Sequence, residues 1–274
     1  MEILRELEVS PRGVYCGGIG YFAPDGSARF NVAIRTITIA DGRGELGIGG
    51  GVVSDSESDS EYAECLLKAR FFENARRPLV LIETLKFDGS FVRLESHLAR
   101  MAGSAAAFGL RFRHGEARQA LHQAVADTTG PQRVRLTLDE SGRLQASAAA
   151  LEPNPAHWTD AISPERVHSL DVLLRHKTNW RDLYERETQR MATDEVIFLN
   201  EKGELAEGAR SNIFVRRGPM LLTPPLDAGL LNGRLRAELI AEGRAIEKPL
   251  TPADLQEEVY LGNSLRGLIP AVRV

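Results

Sequence analysis

Cysteine is nearly absent from this chain, and Cys16 and Cys65 stand too far apart for a disulfide framework or a CxxC metal or redox site. Both are read as structural thiols. No apolar run approaches the roughly 18 residues that a membrane-spanning helix needs. The opening, MEILRELEVSPRG, carries charges where a secretory signal needs an apolar core. A cytoplasmic location, with no membrane partner, is the expectation. Positive charge is not in excess either: the net charge is −4, so no broad basic field exists to hold nucleic acid. Lysine is scarce and occurs only at Lys68, Lys86, Lys177, Lys202 and Lys248. No internal repeat or low-complexity tract is present. The 274 residues, 43% hydrophobic and 26% charged, suffice to bury a sizeable core as one large domain or two smaller ones.

The first 75 residues are rich in glycine and in β-type segments, GVYCGGIGYF, ARFNVAIRTITIA and ELGIGGGVV, which predict two or three strands joined by tight turns. The acidic stretch SDSESDSEYAECLLKARFF then turns into a helix with Ser60 as its cap. Periodicity stops at ENARRPL, where the main domain boundary is placed, between residues 1–75 and 79–274. After it, VLIETLKF reads as a strand. Leu94, Leu98, Met101, Ala105 and Phe108 recur at three- and four-residue spacing, which predicts a helix over 94–108. A second helix over 116–127 precedes a hairpin, RVRLTL and RLQASAA about a DESG turn. EPNPAHWTD reads as a crossing between a small α+β subdomain, 79–155, and a larger β-rich one, 156–274. The latter carries the strands EVIFLN, GELAEG, SNIFVRR and MLLTP and a helix in GRLRAELIAEG.

Of the lysines, Lys86, Lys202 and Lys248 lie at turns or helix ends where solvent suffices. Lys177, in LLRHKTNWRDLYERETQRM, sits between apolar leucines and the start of a helix, beside Arg175 and His176. Desolvation and neighbouring positive charge lower an amine's pKa and favour Schiff-base chemistry. Spacing alone does not separate Lys177 from a surface lysine.

RHKTNWRDLY, then ELAEGARSNIFV, LLNGRLRAELIAEG and YLGNSLRGLIP form an ordered series over about 195 residues. The series resembles the class IV pyridoxal-phosphate enzymes, which include branched-chain and D-amino-acid aminotransferases and 4-amino-4-deoxychorismate lyase. The resemblance implies an α+β, fold type IV architecture, with two subdomains and pyridoxal 5′-phosphate between them. By match to the family's motifs, Lys177 is the lysine that carries the cofactor and transfers protons, and Glu207 is the acid that faces the pyridine nitrogen. Arg100 in LESHLARM and Ser264 in GNSLRG match phosphate contacts, and Arg234 and Leu235 match phosphate contacts through their backbone N–H groups. Asn212 is read as a structural neighbour of the site, and His97 as a packing or supporting residue. No metal is implied there. The usual NG and DRG…GDGxFET opening of that family is cut down to LVLIETLKFDG, with Glu83 and Thr84 as its remnant.

Upstream, SPRGVYCGGIGYFAPDGSARFNVAIRTITI…GELGIGGGVVSDSESDSEYAECLLKAR resembles the C-terminal end of aminodeoxychorismate synthase component I. That resemblance implies carboxylate contacts at Arg35, Gly50 and Gly51, and magnesium ligands at Glu61 and Glu64, which the i, i+3 spacing puts on one helix face. The match covers only the end of a much longer domain, so no synthase activity is expected. The GIGGG run is read as a packed turn; Gly47 and Gly49 begin a GxGxxG pattern, but Val52 fills its third glycine position. Strands lacking their sheet partners would leave edges and apolar faces that pair or pack elsewhere. A Met1 internal to a longer natural protein would explain them.

Together the resemblances imply a lyase acting on 4-amino-4-deoxychorismate and releasing pyruvate and 4-aminobenzoate, for folate synthesis. They also imply a homodimer and, if the full synthase exists, a glutamine amidotransferase subunit. The alternatives are a class IV aminotransferase for branched-chain or D-amino acids, and a non-catalytic fragment binding chorismate or magnesium through Arg35, Glu61 and Glu64.

Overall fold

The computed structural model describes residues 6–8, 11–75 and 77–274. It divides into two compact units, Met1–Arg77 and Pro78–Val274.

In the first unit, β1 (Gly18–Phe22) and β2 (Ala28–Val32) form one antiparallel hairpin, and β3 (Ile37–Ala40) and β4 (Arg43–Leu46) another. Four short strands thus replace the two or three expected. ARFNVAIRTITIA is broken because Arg35 takes a left-handed φ of 51° between β2 and β3, and the last strand stops at Leu46, so GIGGGVV is not a strand. Helix α1 (Ser58–Ala75) starts two residues before Ser60, whose side chain lies outside the described residues, as does Arg76 in ENARRPL. Among the described residues of this unit only Ala33 is buried, while Tyr21, Phe22, Phe30 and Ile39 are exposed. Its hairpins therefore rest on backbone bonds with little apolar packing, a marginal arrangement in water.

The second unit holds two sheets. The smaller, in the order β6-β5-β7-β8, is made of β5 (Val80–Asp88), β6 (Ser90–Phe91), β7 (Gln132–Asp139) and β8 (Leu144–Ala150). Helices α2 (Leu94–Ala107) and α3 (His114–Val125) cover one of its faces. Along β7 the side chains alternate: Val134, Leu136 and Leu138 are fully buried against Leu98, Met101 and Leu121 of the helices, whereas Arg133, Arg135 and Thr137 take the other face. Removing one such leucine side chain costs about 2–5 kcal/mol. The apolar face of α2 is the expected one, with His97 and Ser104 buried in the same stripe.

The larger sheet runs β11-β10-β9-β16-β15-β12-β13-β14 and mixes parallel and antiparallel pairs. Its members are β9 (Trp158–Val167), β10 (Glu195–Asn200), β11 (Leu205–Gly208), β12 (Asn212–Arg217), β13 (Met220–Thr223), β14 (Ala245–Glu247), β15 (Val259–Asn263) and β16 (Gly267–Arg273). Every residue of β10 is buried, which is why its centre, Val196 to Leu199, is apolar without alternation. β9 starts inside EPNPAHWTD, so the crossing ends at His157. Helices α4 (Asp182–Met191) and α5 (Arg234–Ala241) pack on this sheet through Tyr184 and through Leu235 with Leu239. Among the described residues no helix is long and apolar enough to cross a membrane.

Candidate active site

Between the two sheets of the second unit lies a cleft of about 690 Å³, within the range of small-molecule sites. Lys177 is set in it by the edge of β5. The Ile82 N–H donates to the Lys177 carbonyl at 2.8 Å and the Asn179 N–H to the Val80 carbonyl at 3.0 Å, while the Asn179 side-chain carbonyl accepts from the Val80 N–H at 2.9 Å. Asp171 caps the short 3-10 turn before it by accepting from the Leu173 N–H. Lys177 is half-buried and lines the cleft. Burial, and then the positive charge of Arg100, push its amine down to about 8.

Glu207 on β11 is buried at another wall. It accepts one bond from the Tyr184 hydroxyl at 2.8 Å and one from the Leu231 N–H at 3.0 Å. Burial raises its pKa, against the opposing charge of Arg181, and Arg181 itself lies over the Tyr184 ring at 4.2 Å. No cation pairs with Glu207 among the described residues, so a positively charged N–H group is what this carboxylate lacks. Asn212 holds the Leu231 turn by donating to its carbonyl at 2.9 Å. A Cβ on Gly233 would stand 2.0 Å from the Asn212 side-chain oxygen, so a larger residue where this turn enters α5 would push the Asn212 amide aside.

The third wall is built for an anion. Arg234 and Leu235 open α5, where intrahelical bonding begins with the Ala237 N–H on the Gly233 carbonyl, so their amides have no helical acceptor. Arg100 grips Glu83 with Nε at 2.7 Å and its far nitrogen at 2.6 Å, and its remaining nitrogen reaches the Asn232 carbonyl. His97 joins Glu83, 2.6 Å from Nδ1, to Ser264, 2.8 Å from Nε2. The Arg234 Nε is buried without a partner, and burial and the charge of Arg100 lower its pKa to about 10. Two guanidinium groups, one of them paired with Glu83, lie with a hydroxyl and a helix start along one wall, an arrangement that suits an anion.

Of the residues singled out in the sequence, Lys177, Arg100, Glu207, Arg234 and Ser264 line this one cleft, with Asn212 and His97 beside them. Leu235 contributes only its place at the helix start, because its side chain packs in the core with Phe214 and Leu239. Tyr184, Arg133 and Arg135 also line the cleft and were not read from sequence. Strand pairing brings in Arg133 and Arg135, which leaves no local signal, whereas Tyr184 ends the RHKTNWRDLY motif at the start of α4, so a signal for it stood in the chain. Glu83 is no mere remnant: it organises Arg100 and His97.

In the first unit, Glu61 accepts from the Ser56 hydroxyl at 2.7 Å and Glu64 pairs with Lys68 at 2.8 Å. No group of three or more metal-ligating side chains occurs among the described residues. Gly50 lies against the Glu61 carboxylate, Gly51 is open, and Arg35 is exposed.

A cleft with a half-buried low-pKa amine, a buried acid lacking a cation, and arginines beside a helix start suits cofactor-dependent enzymes working on amines. Residues 80–274 match the amino-transferase class IV family, and residues 1–74 match the chorismate binding enzyme family. The chain belongs to the class IV aminotransferase family, whose members are pyridoxal-phosphate-dependent, lyases and aminotransferases among them. A Mesorhizobium loti structure, named provisionally as an amino-acid aminotransferase, is 41% identical, with a TM-score of 0.69 over 72% of this chain and 100% of that one. Another, named provisionally as a 4-amino-4-deoxychorismate lyase, is 26% identical, with a TM-score of 0.60 over 70% of this chain and 83% of that one. In the first unit, aminodeoxychorismate synthase of Streptomyces pristinaespiralis is 46% identical over 70 residues, 26% of this chain and 10% of that protein. Anthranilate synthase component 1 of Cereibacter sphaeroides is 48% identical over 75 residues, 27% of this chain and 15% of that protein. The chain thus spans a small part of these relatives' length.

Proposed function

We propose that the second unit binds pyridoxal 5′-phosphate and acts as a 4-amino-4-deoxychorismate lyase. Lys177 would carry the cofactor, Glu207 would face its ring nitrogen, and Arg100, Arg234, Ser264 and the amides of Arg234 and Leu235 would hold its phosphate. The orphaned Arg234 Nε and the unpaired Glu207 carboxylate fit that group, since it brings an anion to one and a cationic N–H to the other. When bound, it supplies an electron sink for a carbon beside the substrate nitrogen. The Lys177 amine, pushed down to about 8, is a base near neutral pH and takes the C4 proton of the substrate at Nζ. Loss of that proton and of the C3–oxygen bond leaves an aromatic ring, which makes the step hard to reverse. Burial raises the Glu207 pKa, and the charge of Arg181, the Leu231 N–H and the Tyr184 hydroxyl work against that rise.

The observation that carries lyase over transaminase is the face of β7. Arg133 and Arg135 line the cleft, and neither makes an ion pair among the described residues. Arg133 stands directly opposite Lys86 on β5, whose ammonium pairs with Asp88 at 3.1 Å, so the facing lysine offers the arginine no neutralising charge. Such a wall suits a substrate with two carboxylates and offers little to a branched apolar side chain. The synthase-like first unit supports the same choice, because a synthase product of that kind is the lyase substrate. The family resemblance extends the proposal to a homodimer.

The test begins with absorbance of the protein supplied with pyridoxal phosphate, borohydride reduction and peptide mapping. A label on Lys177 followed by stoichiometric pyruvate and 4-aminobenzoate from aminodeoxychorismate supports the lyase. A label on Lys177 with an amino acid converting the cofactor to its aminated form, and no pyruvate, assigns a transaminase instead, as the name of the Mesorhizobium loti relative suggests for that protein. No label on Lys177 ends both readings.

A further inference from the structure

The buried chain Glu83, His97, Ser264 has a constraint of its own. Glu83 is 1% exposed, and although burial pushes its carboxyl up, the charge of Arg100 and the bonds from His97 and Arg100 outweigh this and hold it at about 2. An ionised carboxylate only accepts, so His97 Nδ1, 2.6 Å away, must carry a proton. The role of Nε2 is then all that is left to decide. In a neutral imidazole it accepts the single proton of Ser264, 2.8 Å away, and Ser264 turns only lone pairs towards the cleft. In an imidazolium it donates, and the Ser264 proton is released to point at whatever lies between Arg100 and Arg234. An anion there needs the second state.

We propose that His97 is a positioning residue that takes up a proton when the cofactor phosphate seats against Ser264, Arg100 and Arg234, and returns it when the phosphate leaves. The inference rests on the pyridoxal-phosphate reading above. The groups facing the imidazole come from every element around it: Glu83 from β5, Arg100 from its own helix, Lys177 from the segment on the edge of β5 and Ser264 from the β15–β16 turn. Beyond them, Arg93 reaches the Ser264 carbonyl at 3.5 Å, and Arg234 faces Arg100. Without the anion, burial holds the imidazole neutral; Glu83 works against this, and Arg100 and Lys177 reinforce it. A phosphate dianion offsets the two cationic contributions and leaves Glu83 opposed by burial alone, so binding shifts the imidazole towards the imidazolium. The hydroxyl therefore switches from acceptor to donor with its ligand.

Calorimetric titration with pyridoxamine 5′-phosphate tests this, because that ligand cannot condense with Lys177. At pH 8 its phosphate is already a dianion, since the second ionisation of such esters falls near about 6. Heat measured in buffers of differing ionisation enthalpy gives the protons taken up. The wild type is expected to take up more than His97→Gln, the difference approaching about one proton per site, because the Gln amide donates to Ser264 without titrating. Ser264→Ala should reduce the uptake as His97→Gln does, and it leaves the buried Glu83 pairs intact. Equal uptake in wild type and both variants overturns the proposal. Absence of any binding by the folded wild type overturns the cofactor reading and the inference with it, an outcome distinct from tight binding without linked protons.

Discussion

The Tyr184 hydroxyl points at Glu207 and donates to it at 2.8 Å across two elements, α4 and β11. The bond helps keep a buried carboxylate charged. Burial and then the neighbouring negative charge lift the tyrosine itself well above its usual pKa, and the bond adds to that rise. Tyr184→Phe would leave Glu207 with the Leu231 N–H as its one hydrogen-bond donor. The carboxylate should then ionise less readily, and affinity for pyridoxal phosphate should fall by about tenfold, the worth of one bond to a charged group, about 1.5 kcal/mol. Fluorescence titration of the cofactor reads this directly, with circular dichroism as the folding control. Unchanged affinity would remove Tyr184 from the site.

Lys177 makes two predictions of opposite sign. Its neutral form is the nucleophile, and burial and Arg100 set that form's onset near 8. Capture of pyridoxal phosphate should therefore rise with pH through about 8 and level off above it, instead of rising towards the usual lysine value of 10.5. Lys177→Met should abolish capture and also raise the thermal midpoint of the cofactor-free protein by a few degrees or roughly that order. The sign follows from the depressed pKa: at neutral pH the folded state holds a charge it would rather not hold, and methionine removes it. A lowered midpoint would mean that the ammonium is better paired than the cleft suggests.

Glu83 should govern acid stability. Its carboxyl falls from 4.5 to about 2 on folding, so its contribution is complete above pH 4.5 and drains away as pH falls towards 2. A shift of that size is on the order of 3 kcal/mol. Glu83→Gln breaks a buried ionic cluster and should cost about 3–5 kcal/mol at pH 7. In urea titrations the gap between wild type and variant should narrow steadily as pH is lowered from 4.5. A gap independent of pH would show that shape, not charge, is what Glu83 contributes.

Much of this was legible in the chain itself. Leu94, Leu98, Met101 and Ala105 announce α2, and the motif series around Lys177, Glu207, Gly233 and Ser264 carries the family, its fold and, with Arg100 of LESHLARM, five residues of one cleft. Other parts depend on pairing that no local pattern records. β9 contains Pro164 and polar residues on no regular period, and it becomes a strand by lying parallel to β10 and to β16, more than a hundred residues away. Glu83 stands where a familiar opening is truncated, and its role appears only once α2 brings Arg100 and His97 over β5. The first unit was the reverse case. Its β character was plain, but the left-handed turn at Arg35 and the early end of β4 came from backbone geometry.

Arg135 offers the sharpest test of substrate class. It shares the cleft face of β7 with Arg133, set between Thr84 on β5 and Ser147 on β8, and its charge is one of those that lower the Lys177 amine. If it meets a substrate carboxylate, Arg135→Gln removes a charged bond worth about 1.5–3 kcal/mol. With aminodeoxychorismate, kcat/KM should fall by roughly ten- to a hundredfold, chiefly through KM, and the loss should shrink as salt is added to the wild type. Adding Arg133→Gln should deepen the defect for this dicarboxylate more than for an amino acid with a single carboxylate, because only the former has a second charge to place. A double variant that handles both kinds of substrate equally well would show that the cationic wall serves something other than the substrate, and the argument for a lyase would lose the observation on which it stands.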